Sequence, residues 1–254
     1  MDPNPYAAPS MAVDLPRAPL EPDDATGEWT IVWAFRRAWL ILRRHWVLLL
    51  IPACADMVPA ILQEPALDWI PSRGAADLAT RAAVVFGVSL IGAITDAGAT
   101  AQWLAAARGE RPGWSTFRSG LRRVVAFAVL DFLQKISLNG VETFARILGH
   151  KLPSWVGLVE GTAGAIVGMW LGLAYCALLE EQSSVLRALN RAWQLSAGTR
   201  GRMVACGLAQ MVLAFLGLLA CVVGIFPVAA ILQGLPVVIY LRLRRQEDAP
   251  AVEG

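Results

Sequence analysis

Four ionisable residues recur along one face of a single apolar stretch: Asp131, Lys135, Glu142 and Arg146. At 100° per residue they fall within about 60° of arc, with Asn139 beside them, so they form one polar stripe on an otherwise apolar helix. Each such group inside a bilayer costs roughly 2.5 to 3.5 kcal/mol and therefore faces a bundle interior or a wet cavity, where it finds partners. Asp131 with Lys135 and Glu142 with Arg146 are i,i+4 pairs with the acid first, the favourable order. One reading is a proton or ion path, joined by Asp56, Asp96 and Glu160 from neighbouring apolar stretches. The plainer reading is a set of mutually neutralised pairs that fix helix register around a partly hydrated interior. It carries more weight, because net-neutral pairs cost less than a lone acid. Asp96 and Glu160 have no basic residue three or four positions away, so they are the candidates for titration.

Other chemistries lack their residues. There is no Walker A glycine loop, HExxH or GxSxG, which argues against an enzyme. His45 and His150 are expected on opposite membrane faces and cannot share a metal, and no cofactor site is legible. Cys54, Cys176, Cys206 and Cys221 all lie in apolar stretches without CxxC spacing, as small buried hydrophobes do. Of the 22 Lys and Arg only Lys135 and Lys151 are lysine. This reads as the composition of a GC-rich genome. No basic patch is interleaved with exposed aromatics, so nucleic acid is not an expected partner.

The elements that must position these charges are membrane helices. With 254 residues, 56% hydrophobic and 17% charged, and a mean hydropathy of +0.52, the chain is too apolar for an ordinary soluble domain. The expected fold is all-α, a polytopic bundle of about six spans: 46–63, 79–107, 124–148, 155–179, 203–225 and 228–241. Pro52 and Pro59 should kink the first span. Phe226-Pro227 should turn the last two into a hairpin whose short second arm is either a span or re-entrant. In the fourth span Gly164, Gly168 and Gly172 repeat every fourth residue, a spacing that lets helices approach closely. It is read first as packing within the chain and second as a dimer seam.

Two further helices read as interfacial. Along 29–45, Arg36, Arg37, Arg43 and Arg44 occupy one sector and Ile31, Phe35, Trp39 and Leu42 the other. Along 180–202, Arg187 and Arg191 stand one turn apart opposite Leu186, Leu189 and Trp193, and Gly198 is placed to end the helix. Arg36, Arg37, Arg43, Arg44, Arg187, Arg191 and Trp193 are thus the candidate lipid contacts. Glu180-Glu181 reads as a solvated acidic pair at a helix end.

Residues 1–28 hold six prolines and six acidic residues and read as a disordered acidic tail; 29–245 form the helical domain and 246–254 a second short tail. All but five of the 22 basic residues (Arg73, Arg81, Lys135, Arg146 and Lys151) fall on the side of the two tails. Under the positive-inside rule that side is the cytoplasm.

Residues 175–202, YCALLEEQSSVLRALNRAWQLSAGTRGR, carry a further pattern: an acidic residue ending a helix, an Ala-x-x-Arg-x-Trp run, then glycine and a basic residue before a final hydrophobic hairpin. Glu181, Ala188, Arg191, Trp193, Gly198 and Arg200 fill these positions, with Ala192 where serine is commoner. The segment resembles the membrane domain found with bacterial glycerophosphoryl diester phosphodiesterases and in related six-helix inner-membrane proteins. The catalytic barrel of those phosphodiesterases is missing, so the resemblance implies an architecture in a bacterial inner membrane and no activity. The expected function is a non-enzymatic membrane protein that engages anionic lipids or another membrane protein at the cytoplasmic leaflet. The alternative is a small transporter or channel that uses the charged stripe.

Overall fold

The computed structural model describes residues 29–70, 74–134, 154–219 and 221–248. Residues 1–28 and 249–254, and Lys135, Asn139, Glu142 and Arg146 with most of the charged stripe, lie outside these, whereas 246–248, expected in the second tail, are helical. Eight helices and no strand occur among the described residues: α1 Ile31–Asp68, α2 Ala75–Ala107, α3 Trp114–Leu121, α4 Val124–Gln134, α5 Ser154–Glu180, α6 Val185–Leu195, α7 Arg200–Leu219 and α8 Cys221–Asp248. Stretches of α1, α2, α5, α7 and α8, each 20 to 32 residues long, are apolar enough to cross a bilayer of about 30 Å. Helix α4 is the described beginning of the expected third span. The chain is a polytopic helical membrane bundle.

Helix α8 is its hub, packed against α1, α2, α5 and α7. Its outward-facing neighbour α7 leaves Leu208, Val212, Phe215 and Leu219 exposed, and α2 leaves Phe86, Ile91 and Ile94 exposed. Apolar area of that extent needs lipid to cover it. Inside, Trp103, Phe127, Leu173, Leu235 and Ile239 are fully buried, and α4 is held between α2 and α5 by Phe132 on Phe86 and Phe127 on Tyr175.

Three features differ from the expected ones. The backbone of α1 runs on through Pro52 and Pro59, where kinks were expected, and leaves helical geometry at His45 (φ −125°, ψ 28°), which is the expected join between the 29–45 helix and the first span. A break frees carbonyls, and beside Arg43 and Arg44 water reaches them more readily than in the apolar stretch around Pro52. The 180–202 helix is interrupted: α5 ends at Glu180, Gln182 adopts φ 48°, and α6 spans only Val185–Leu195. Finally, α7 ends at Leu219, and α8 carries Pro227 and Pro236 inside a helix of 28 residues, so the last arm is a full span and the turn precedes Phe226. Pro236 has no N–H for the carbonyl of Leu232. The Gln210 side chain of α7 donates to that oxygen at 3.5 Å, which supplies part of the lost bond. Room for the ring comes from Gly172, where an added Cβ would strike Pro236; this member of the glycine repeat serves packing within the chain.

The arginine-rich segment after α2 folds back on the bundle. In α3 the Phe117 ring covers Gly98, and a Cβ at Gly120 would meet the Ala97 carbonyl oxygen and lie 3.1 Å from Ala97's neighbour one turn on, Ala101. Backbone cannot yield as a side chain can. Gly120→Ala should therefore lift α3 from α2 and cost about 1 to 3 kcal/mol. Gly113→Ala, with nothing within 4 Å of the new atom, should stay within about 0.5 kcal/mol of the parent. Denaturant unfolding of the detergent-solubilised protein checks this, and matching midpoints for the two variants would rule out the close approach.

Candidate functional site

The charged ends of six helices converge. Arg202 at the start of α7 lies 3.5 Å from the Trp29 carbonyl ahead of α1, and Arg242 near the end of α8 sits 5.6 Å from the Trp33 ring centre. Both contacts place the beginning of α1 and α7 beside the end of α8. Arg108, just past α2, and Arg244 of α8 both donate to the Glu180 carboxylate, one to each oxygen. Glu180 is the last residue of α5 and its side chain is only 4% exposed, so the two guanidiniums compensate a charge held away from water. The expectation of a solvated acidic pair is overturned here: Glu180 is a buried bridge between three helices.

Its neighbour Glu181 accepts from Arg191 Nε at 2.9 Å, while Arg191 Nη1 and Nη2 grip Glu247 of α8 at 2.8 and 2.6 Å. This two-pronged geometry suits a guanidinium and ties α6 to α8. Hydrogen bonds donated to Glu247 first, and to Glu181, raise the Arg191 pKa above its ordinary value, so the residue is a fixed cation. Its fork is occupied by the protein's own carboxylates. Trp193, half exposed, is flanked by Arg200 at 3.8 Å from its ring centre and by Trp170 at 6.0 Å. Helix α6 buries Ala188 and Ala192, one turn apart, and leaves Leu186 and Arg187 exposed.

Next to Glu180 opens a cavity of about 750 Å³. The last turns of α2, the α3 segment, the end of α5 and α8 wall it, and its charged lining is Arg108, Arg122, Arg123 and Arg244 against Glu110 and Glu180. Arg108 and Arg244 are committed to Glu180. Arg123 donates to the neutral carbonyl of Gln182 at 2.8 Å, and Arg122 is exposed, so the cavity carries positive charge in excess. Thr116 and Ser119 of α3 add hydroxyls to the same wall.

On α1, Arg36, Arg43 and Arg44 are exposed and Arg37 is half-buried, while Ala34, Ala38, Ile41 and Leu42 form the face turned to the bundle. Val32, Trp39 and Trp46 occupy an exposed apolar flank between the two sectors. Asp96, Asp131 and Glu160 are half-buried on α2, α4 and α5, and of the three only Asp96 lines a smaller cavity of about 310 Å³ deeper in the bundle. The sequence reading passed over Arg108, Arg122, Arg123, Glu180 and Arg244 as a group. The available signal was that three apolar runs end in Arg108, Glu180 and Arg244 on the same side of the alternating topology. No group of His, Cys, Asp and Glu suited to a metal occurs among the described residues. Compared with family models, curated proteins and solved structures, the chain matches none.

Proposed function

We propose that the protein is a non-enzymatic component of a bacterial inner membrane that captures anionic lipid headgroups at its arginine-rich end, which faces the cytoplasm. The observation that carries this reading is the 750 Å³ cavity with Arg122 and Arg123 in excess of its carboxylates. A volume between about 300 and 1,000 Å³ suits a small polar group such as a phosphate-bearing headgroup. Guanidinium is also the side chain best matched to phosphate oxygens. Exposed Arg36, Arg43 and Arg44 of α1 and Arg187 of α6 would hold the same leaflet around the cavity, each basic residue contributing about 1 kcal/mol near an anionic surface. The excess of arginine on this side accords with the positive-inside rule. The resemblance of residues 175–202 to the phosphodiesterase-associated membrane domain supports the same location.

Arg122→Gln with Arg123→Gln should remove about 2 kcal/mol of headgroup attraction, roughly thirtyfold in affinity. Native mass spectrometry of protein extracted from vesicles of phosphatidylglycerol and phosphatidylcholine reads this as a loss of bound phosphatidylglycerol. The difference should shrink as salt rises, since the screening length falls to about 8 Å at 0.15 M. Equal retention of phosphatidylglycerol by parent and variant sinks the reading.

A further inference from the structure

Twenty-eight residues precede Trp29, and six acids among them against Arg17 alone leave a formal excess of five negative charges. Four of the acids, Glu21, Asp23, Asp24 and Glu28, fall within eight consecutive positions. That stretch joins the described chain at the arginine-rich end, because Arg202 at the start of α7 donates to the Trp29 carbonyl. The end of α8 carries the connection onward. Arg242 stands over the Trp33 ring, and Arg244, about 200° further round the helix, lines the 750 Å³ cavity on the other side. Cavity and tether are therefore separated by about one helix diameter, roughly 10 to 12 Å. The eight residues from Glu21 to Trp29 can span up to about 26 Å.

We propose that the acidic segment 21–28 of this same chain docks at the cavity and there competes with the anionic headgroup. The competition rests on the lipid-binding reading, whereas the docking does not. Charge selects the occupant: four guanidiniums face two carboxylates in the lining. Arg108 and Arg244 are held by Glu180, Arg123 has the neutral Gln182 carbonyl, and Arg122 has no ion pair among the described residues. Elsewhere at this end the chain supplies its own counter-ions, as Arg191 takes Glu181 and Glu247 and Arg244 lies 4.0 Å from Asp248. A carboxylate offers a guanidinium the same two-pronged acceptor that a phosphate does. Tethered a few residues away, it acts at an effective concentration in the millimolar range. An anionic leaflet, by contrast, repels the segment, so its charge is better compensated in the cavity than on the membrane surface.

Carbodiimide coupling joins a carboxylate to a lysine amine in contact with it, and the chain has Lys135 and Lys151 alone as native lysines. The full-length Arg122→Lys, Arg123→Lys protein in phosphatidylcholine nanodiscs, where no anionic lipid competes, should couple a carboxylate of 21–28 to position 122 or 123. Peptide mass spectrometry reads the bond. Its yield should be roughly fivefold above that for Arg187→Lys, an exposed position of α6 outside the cavity lining, since docking concentrates the acids at one place. Comparable yields at the two places, or none at 122 and 123, overturn the docking. The competition is read separately by native mass spectrometry. Glu21→Gln, Asp23→Asn, Asp24→Asn and Glu28→Gln together should lower the phosphatidylglycerol concentration for half-occupancy about two- to tenfold, the effect of removing a weak tethered competitor. An unchanged half-occupancy in that variant, while Arg122→Gln with Arg123→Gln still sheds phosphatidylglycerol, overturns the competition and leaves the lipid reading standing. Equal retention by the parent and the glutamine variant sinks the lipid reading instead, and the coupling in phosphatidylcholine still decides whether the segment docks.

Discussion

Glu180→Gln should lower the unfolding free energy by about 3 kcal/mol, because it removes the one negative charge between two guanidiniums and leaves both without their counter-ion. The carboxylate is 4% exposed and takes Arg108 on one oxygen and Arg244 on the other. An amide keeps the shape but turns an NH2 toward one of the two donors. The cost belongs at the lower end of the range for broken buried pairs, since Arg108 and Arg244 are 43% and 39% exposed and can swing toward water. That exposure also separates the partners' roles. Arg108→Met or Arg244→Met alone leaves Glu180 with its other arginine and should cost about 1 kcal/mol, the usual worth of a partly exposed pair. Denaturant midpoints for the three variants, measured in one detergent, test the asymmetry. A Glu180→Gln variant no less stable than the arginine variants would show that the bridge is not the junction of α2, α5 and α8.

The contrast between Glu180 and Glu181 shows where reading from sequence stops. Two of the apolar runs, with their lengths and charged ends, were legible: α2 and α5 match the expected spans closely, because bilayer thickness fixes length and arginine stops a span. Which charged end meets which was not legible. Arg108 and Arg244 are 72 and 64 positions from Glu180, and nothing local to any of the three encodes their meeting. It depends on how α2, α5 and α8 pack, which small residues such as Gly172 and Gly234 decide through close approach. The arginine pattern on α6 was legible, but its use was not: Arg191 reaches Glu247, 56 positions away, and so becomes a tie within the protein.

Proline marks a second limit. Phe226-Pro227 suggests a turn in the sequence, since proline ends helices in water, where a freed carbonyl simply hydrates. In lipid the freed carbonyl must be met from within, so a span can continue through proline only where a neighbour supplies a donor. Gln210 does this for Pro236 at a distance of 26 positions, and that pairing is visible only once α7 and α8 lie side by side.

At the seam between α2 and α8, Trp103 and Gly234 should show a reversal of sign. Trp103 is fully buried, and a Cβ at Gly234 would lie 2.5 Å from its ring. Lipid tails are as apolar as the bundle interior, so truncating Trp103 forfeits little transfer energy. What it forfeits is packing. Trp103→Ala should cost about 3 kcal/mol, the lower end of the range for large aromatic truncations. Gly234→Ala alone should cost about 1 to 3 kcal/mol, since the fixed indole has to move. In the Trp103→Ala background that obstacle is gone and the methyl enters the void. Gly234→Ala should then stabilise the helix, by up to about 1 kcal/mol from propensity alone. A double-mutant cycle on unfolding midpoints isolates the coupling, which should exceed about 1 kcal/mol for residues in contact. Additive effects would mean that the indole does not occupy the space over Gly234, and that something other than this contact sets the distance between α2 and α8.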